Sequence, residues 1–133
     1  MALPFFDTNV LLYLIGSDSA KADRAELLVS SGGVISVQVL NEFASVASCK
    51  QRMPWSEIDD ALAGFRSLFR VDPLTVEAHV RGMALARDHG FAVYDALIVA
   101  SALAAECDLL YSEDLQDGRR IDGTLTIRNP FRD

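Results

Sequence analysis

Short apolar runs alternate with helix-like patterns along this chain, and this alternation constrains the fold more than any other feature. The runs at residues 3–6, 34–36, 109–112 and 125–127 are predicted to be strands. Between them, apolar residues recur three and four positions apart, as on the buried face of a helix. At least two strands are entirely apolar, which is typical of strands covered on both faces. The pattern therefore predicts an α/β fold with a mainly parallel sheet between helices.

Capping residues and chain breakers set the expected helix boundaries. Ser19 and Thr75 are predicted N-caps, Ser56 with Asp59 resembles a capping box, and Gly90 ends the helix that Thr75 begins. The predicted helices cover residues 8–15, 19–31, 37–52, 56–70, 75–90 and 96–105, with a tight connector or short strand at 71–73. The last of these helices is almost wholly apolar, so we expect it to be buried on most sides.

Four acidic residues occupy positions that the predicted topology brings together. Asp7 follows the first strand, Asp114 follows the strand at 109–112, Asp95 opens the buried helix, and Glu42 lies early in the helix after the second strand. Taken singly, the two residues Asp7 and Asp95 are equally well explained as helix caps, Glu42 as a solvated position and Asp114 as part of a polar loop. Because parallel strands end at one edge of a sheet, we expect the four carboxylates to converge there.

Converging carboxylates indicate a divalent cation. They repel one another and raise each other's pKa, and a hard ion such as Mg²⁺ or Mn²⁺ removes that cost. Such ions activate water and stabilise the transition state of phosphodiester cleavage. The net charge of −7 argues against a nucleic-acid partner, but without the four proposed ligands it is −3, and two divalent ions would make it +1. Acidity therefore does not exclude such a partner.

Four segments, taken in order, resemble the PIN-domain family and, within it, the VapC-type toxins of bacterial toxin–antitoxin systems. They are Phe6-Asp7-Thr8-Asn9-Val10, Val39-Leu40-Asn41-Glu42-Phe43, Tyr94-Asp95-Ala96-Leu97-Ile98-Val99-Ala100-Ser101-Ala102 and Ser112-Glu113-Asp114-Leu115-Gln116. The resemblance spans nearly the whole chain and implies one PIN domain over residues 1–133, with a Rossmann-like three-layer α/β/α fold. It also implies an endoribonuclease that depends on Mg²⁺ or Mn²⁺, a homodimer, and a cognate antitoxin that inserts a segment near the site.

The resemblance assigns roles to individual residues. Those implied to be catalytic and to bind metal are Asp7, Glu42, Asp95 and Asp114, and those implied to support the site are the hydroxyls of Thr8 and Ser112, Asn9 as a brace for the Asp7 loop, and Asp117 as a further acid. From their positions, Arg119, Arg120 and Arg128 are candidates for holding the RNA backbone, although they are as readily ordinary surface arginines.

Other functions fit the sequence less well. A phosphatase of the haloacid dehalogenase type needs a second aspartate where Asn9 stands, together with a lysine that is missing. A catalytically silent PIN-like scaffold that binds RNA or a protein has no need of the complete acid set, and a nuclease directed at DNA remains an alternative. The helices at 56–70 and 75–90 carry enough apolar surface to build a dimer or antitoxin interface. We expect a cytoplasmic protein, because the N-terminus lacks the basic segment of a signal peptide and no apolar run reaches about 18 residues.

Overall fold

The structure has the predicted α/β fold, built on one mainly parallel sheet. The computed structural model describes residues 2–132. Within this range the strands are β1 (Phe5–Phe6), β2 (Val34–Ser36), β3 (Arg70–Asp72), β4 (Leu109–Tyr111), β5 (Arg120–Ile121) and β6 (Leu125–Arg128). They form one sheet in the order β3-β2-β1-β4-β6-β5, in which β5 alone is antiparallel, paired with β6. The prediction of an α/β fold with a mainly parallel sheet is confirmed, and the connector at 71–73 proves to begin as a strand.

Six helices within the same described residues accompany the sheet. They are α1 (Thr8–Leu14), α2 (Ser19–Val29), α3 (Val37–Cys49), α4 (Trp55–Leu68), α5 (Val76–His89) and α6 (Val93–Ala104). Thr75 caps α5 by accepting a hydrogen bond from the Ala78 N–H at 3.0 Å, and Gly90 ends that helix in the left-handed conformation, as predicted. No helix of residues 2–132 combines the length and apolar character that crossing a membrane requires.

One predicted helix cap and two predicted helix starts were wrong. Asp18, not Ser19, caps α2, because its carboxylate accepts a hydrogen bond from the Lys21 N–H. The capping box at Ser56 does not form: α4 starts at Trp55 because the Pro54 carbonyl already accepts hydrogen bonds from two following backbone N–H groups. In the same way α6 starts at Val93 after Ala92, three residues earlier than predicted.

The core forms where the central strands meet. Phe5 lies opposite Val34 on one side and Leu110 on the other, and its side chain is fully buried. The ring of Phe6 stacks on Tyr111 with 5.4 Å between ring centroids. Every residue of α6 from 96 to 103 is buried, which confirms the prediction of a buried helix. This packing fixes the carboxyl ends of β1 and β4 side by side.

Candidate functional site

The carboxyl edge of β1 presents Asp7 in a nearly enclosed setting. Its backbone N–H donates to the Tyr111 carbonyl at 2.9 Å, which continues the pairing of β1 with β4 beyond the strand end. The Asp7 side chain is 4% exposed. One carboxylate oxygen accepts a hydrogen bond from the Thr8 N–H at 2.7 Å and so caps α1, and the other accepts one from the Ser112 hydroxyl at 2.7 Å. Asp7 is therefore a helix cap as well as a rigidly held carboxylate.

Asn9 joins the β1 and β4 ends of the site. Its amide nitrogen donates to Asp114 Oδ2 at 3.2 Å and lies 3.4 Å from Asp7 Oδ2, while its amide oxygen accepts from the Glu113 N–H at 3.1 Å. The Ser112 hydroxyl oxygen accepts from the backbone N–H groups of Asp114 and Leu115, both at 3.2 Å. The expected brace at Asn9 thus holds the loop after β4 as well as the loop after β1.

Glu42 and Asp95 reach the same place from helices. Glu42 lies in the second turn of α3, where one carboxylate oxygen accepts from the Thr8 hydroxyl at 2.8 Å and the other from the Gln38 amide at 3.3 Å. Asp95 lies in the first turn of α6 and is partly buried. It is not the cap of that helix, because the N-cap position belongs to Ala92.

All four predicted acids line one cavity of about 600 Å³. The structure therefore brings together Asp7, Glu42, Asp95 and Asp114, which are separated by up to about a hundred residues in sequence. Polar and apolar side chains from α1 and α3, Lys50 at the end of α3 and one aromatic ring from α6 complete the wall. The remaining lining residues are Thr8, Asn9, Leu12, Gln38, Asn41, Ser45, Val46, Lys50 and Tyr94.

Three carboxylates of this cavity, those of Asp7, Glu42 and Asp95, are harder to ionise than free acids. Burial raises the pKa of Asp7 to about 7, against the opposing hydrogen bonds from Ser112 and Thr8, and the charges of Glu42 and Asp95 raise it further. Burial is also the main cause that raises the pKa of Glu42 and of Asp95, with a contribution from the charge of Asp114 in each case. A cation bound among these groups would relieve this penalty.

The donor chemistry of the cavity suits a hard divalent ion. Its four acids would offer carboxylate oxygens, which suit Mg²⁺ or Mn²⁺ better than softer metals. Within residues 2–132, no three carboxylate, histidine or cysteine side chains stand close enough together to hold an ion as they are positioned. A preformed cage is not what Mg²⁺ requires, because it usually keeps several waters and binds through one or two carboxylates and a substrate phosphate.

Other predicted residues lie away from this cavity. Asp117 accepts a hydrogen bond from the Asn129 N–H at 2.8 Å and does not contribute to the lining described above. Arg119 packs its guanidinium 4.4 Å from the centre of the Phe91 ring, and Arg120 hydrogen bonds to the Gly123 carbonyl. Arg128 ends β6 and is likewise outside the lining.

Sequence reasoning missed two sets of residues. Gln38 and Lys50 line the cavity from α3, and the spacing of Gln38 four residues before Glu42 on a predicted helix could have indicated a shared face. The second set surrounds Glu113, whose carboxylate lies 2.6 Å from both the Lys21 ammonium and the Tyr13 hydroxyl. No local pattern could have found this second set, because Lys21 and Glu113 are 92 residues apart.

Comparisons with known proteins agree with this architecture. A model of the PIN domain family matches residues 5–122. A toxin–antitoxin complex from Klebsiella pneumoniae is similar in structure, with a TM-score of 0.72 at 20% identity over 96% of this chain and 98% of that one. VapC20 from Mycobacterium tuberculosis, described as a toxin that cleaves the sarcin–ricin loop, has a TM-score of 0.69 at 20% identity over 84% and 89%. VapBC2 from Rickettsia felis, bound to a DNA fragment of its promoter, has a TM-score of 0.68 at 22% identity over 95% and 97%. No protein of curated function matches the sequence at a significant level.

Proposed function

This chain belongs to the PIN-domain family, and from that premise we propose that it is a Mg²⁺- or Mn²⁺-dependent endoribonuclease, the toxin of a VapC-type toxin–antitoxin pair. The observation that carries the proposal is the convergence of four carboxylates from β1, α3, α6 and the loop after β4 on one cavity. A buried carboxylate whose pKa is raised to about 7 beside further acids is the kind of group that is concentrated at functional sites, which supports the proposal. Several structural neighbours are toxins in complex with their antitoxins, which supports the biological setting.

The residues that line the cavity have different proposed roles. When bound, the divalent ion supplies Lewis acidity, which favours ionisation of water and balances charge on the scissile phosphate. Asp7 would hold that ion from a fixed position, because two hydrogen bonds of 2.7 Å orient its carboxylate. Asp114 would be a second ligand, kept at the same edge by Asn9.

Glu42 and Asp95 are the candidate general bases. Both are partly buried carboxylates with raised pKa values, and a base is more effective when its pKa moves closer to the working pH. Glu42 is oriented by the Thr8 hydroxyl and the Gln38 amide, so it can present one fixed oxygen to an attacking water. Replacing each in turn by glutamine or asparagine identifies the base as the one whose removal abolishes the acidic limb of the pH–rate profile.

A cleavage assay on the purified chain tests the proposal. Labelled single-stranded RNA, a transfer RNA and single-stranded DNA of matched sequence are incubated with Mg²⁺, with Mn²⁺ or with a chelator. We expect metal-dependent cleavage of RNA, and a loss of about a hundredfold or more in Asp7→Asn. Asp60→Asn removes an exposed carboxylate on α4 instead, and it should retain full activity.

The outcomes separate the alternatives. Preferred cleavage of DNA would contradict the ribonuclease assignment. If the chain binds RNA but does not cleave it at any metal concentration, and Asp7→Asn binds RNA as the parent does, the protein is a catalytically silent PIN-like scaffold and not an enzyme. Isothermal titration of the metal-free protein with Mn²⁺ gives a readout independent of turnover, and the binding heat should fall sharply in Asp7→Asn.

The proposed homodimer is supported by apolar side chains on the surface of α5. Val76 is 74% exposed and Val80 is 61% exposed, one helical turn apart on the same face. We propose that this face pairs with a second copy of the chain and that the antitoxin covers the acidic cavity. A monomeric mass by light scattering at tens of micromolar would overturn the dimer. We expect the antitoxin to be a small DNA-binding protein encoded in the neighbouring reading frame, and its co-expression should yield a complex that cleaves RNA more slowly than the free chain.

A further inference from the structure

The cavity wall extends beyond the four acids along one side of α3. Gln38, Asn41, Glu42 and Ser45 all line the cavity, at the spacing that places residues on one helical face. Lys50 continues the lining at the end of the helix, about 12 Å from Glu42 along the helix axis at 1.5 Å per residue. We call Gln38, Asn41, Glu42, Ser45 and Lys50 the polar track. It extends well beyond the four acids, farther than the binding of a metal ion alone requires.

Lys50 differs from the other lysine of the chain. The sequence contains two lysines, and Lys21 is committed to an ion pair with Glu113 at 2.6 Å. Lys50 makes no ion pair within the described residues, although the protein has an excess of acids and the cavity itself is acidic. Among the described residues that line the cavity, it carries the one positive charge. A free ammonium that is separated from Glu42 by the uncharged part of the track is suited to a phosphate group.

Tyr94 differs from the other two tyrosines in a similar way. Tyr13 packs against Phe131 and Tyr111 stacks on Phe6, so both contribute to the interior. Tyr94 is 64% exposed, pairs with no other aromatic ring within the described residues, and lines the cavity directly before Asp95. An aromatic ring that is left accessible beside a catalytic carboxylate provides a surface on which an unpaired base can stack.

We propose that Tyr94 and Lys50 hold the RNA in this cavity, with one unpaired base stacked on Tyr94 and a flanking phosphate held by Lys50. The proposal rests on the proposed ribonuclease function and adds two residues that contact the substrate outside the acid cluster. The base on Tyr94 is unpaired, because a base in a duplex has no free face to stack. Asn41 and Ser45 lie on the exposed surface of the track and offer hydrogen bonds to the RNA backbone. Tyr94 and Lys50 are thus assigned as specificity-determining residues outside the acid cluster.

Binding measured apart from cleavage tests the assignment. Fluorescence anisotropy of a labelled eight-nucleotide RNA is recorded in the Asp7→Asn background, where cleavage is not expected. Tyr94→Ala should weaken binding by roughly fivefold to 150-fold, which corresponds to the loss of one stacked base, and Tyr94→Phe should bind almost as the parent does. Lys50→Ala should reduce the slope of log affinity against log salt by about one. A duplex of the same sequence should compete poorly.

Neighbouring residues give matched controls. Val93→Ala changes an exposed apolar residue that is not part of the lining, and Arg52→Ala removes an exposed positive charge near Lys50 that is not part of it either. Neither control should change RNA affinity by more than about twofold. In the otherwise wild-type chain, Tyr94→Ala should raise KM with little change in kcat, because stacking binds substrate and transition state alike.

Three results would overturn the inference. One is unchanged RNA binding in both Tyr94→Ala and Lys50→Ala, and another is duplex RNA that competes as well as single-stranded RNA. The third is a change of oligomeric mass in Tyr94→Ala with RNA affinity retained, which would assign the ring to a protein interface. If the chain cleaves no RNA but Tyr94→Ala still weakens RNA binding, the proposed catalysis is contradicted and the proposed RNA-binding role of Tyr94 is retained. Failure of the ribonuclease proposal and failure of this inference are therefore distinguishable.

Discussion

The charge on Asp7 should destabilise the metal-free protein, and Asp7→Asn should remove that cost. Asp7 has a pKa of about 7 in the folded chain against 3.8 in the unfolded chain, chiefly because it is buried. The folded state therefore retains a proton between these two pH values that the unfolded state has lost. Stability must then fall as pH rises through this window and level off above it. Asparagine does not titrate, so the variant lacks this dependence.

The expected size follows from the displaced pKa. At about 1.4 kcal/mol per pKa unit, the ionised Asp7 costs about 4 kcal/mol at pH 8 but less than about 2 kcal/mol at pH 5, where most of it is protonated in the folded chain. An asparagine at this position cannot accept from both the Thr8 N–H and the Ser112 hydroxyl, which costs about 1–3 kcal/mol at either pH. The cost of the lost hydrogen bonds is the same at both pH values, so it cancels when the stability difference at pH 5 is subtracted from that at pH 8. The stability of the variant relative to the parent should thus rise by roughly 3 kcal/mol from pH 5 to pH 8.

Urea unfolding at pH 5, 6, 7 and 8 in the presence of a chelator measures this difference. Asp60→Asn serves as the control, because it removes a carboxylate that lies exposed on α4, and its stability relative to the parent should not follow the same curve. Added Mn²⁺ at pH 8 should stabilise the parent and affect Asp7→Asn much less, because binding to the folded state alone raises stability. A difference between Asp7→Asn and the parent that stays constant from pH 5 to pH 8 would refute the reasoning.

Two further predictions concern packing and orientation. Gly33→Ala should lower the free energy of unfolding by about 1–3 kcal/mol in a urea titration, because its Cβ would stand 2.3 Å from the buried ring of Phe6, whereas Gly64→Ala in open space on α4 should be neutral or slightly stabilising. Thr8→Val removes a hydrogen bond that lowers the pKa of Glu42, so the acidic limb of the pH–rate profile should move to higher pH, and a limb that stays in place would exclude Glu42 as the base.

The parts of the fold that the sequence predicted are those in which local pattern and tertiary packing agree. β1, β2 and β4 are short, mainly apolar runs in the central part of the sheet; β1 and β2 are buried and β4 is partly buried, so their apolar character identifies them. Asp7 follows the carboxyl end of β1 and Asp114 follows that of β4, where the chain leaves the core and polar side chains can reach solvent. Once the strands were known to be parallel, the meeting of these two acids followed from topology.

The parts that the sequence did not predict depend on competition between neighbours. Ser56 is a better cap than proline by residue type, but Pro54 fixes its own φ near the helical value and its carbonyl begins the hydrogen-bonding two residues earlier. β5 has two residues, Arg120 and Ile121, and exists through its pairing with β6 and not through any propensity of its own. Such elements are determined by partners that a local pattern does not contain.

The acidic segment after β4 shows how partners assign function to residues of one chemical type. The sequence alone does not distinguish the roles of Glu113, Asp114 and Asp117. In the structure Glu113 forms an ion pair with Lys21, and Asp117 accepts a hydrogen bond from the backbone N–H of Asn129. Asp114 has neither partner: it meets the amide of Asn9 and faces the cavity. Since Lys21 is held by Glu113, it is not available to the cavity acids. Among the described lining residues Lys50 offers the one positive charge against four acids, so a cation from outside the chain would balance the remaining charge. Reversing the pair with Lys21→Glu and Glu113→Lys together should therefore preserve Mn²⁺ affinity in calorimetry, whereas Glu113→Lys alone should weaken it by placing a free cation beside Asp114.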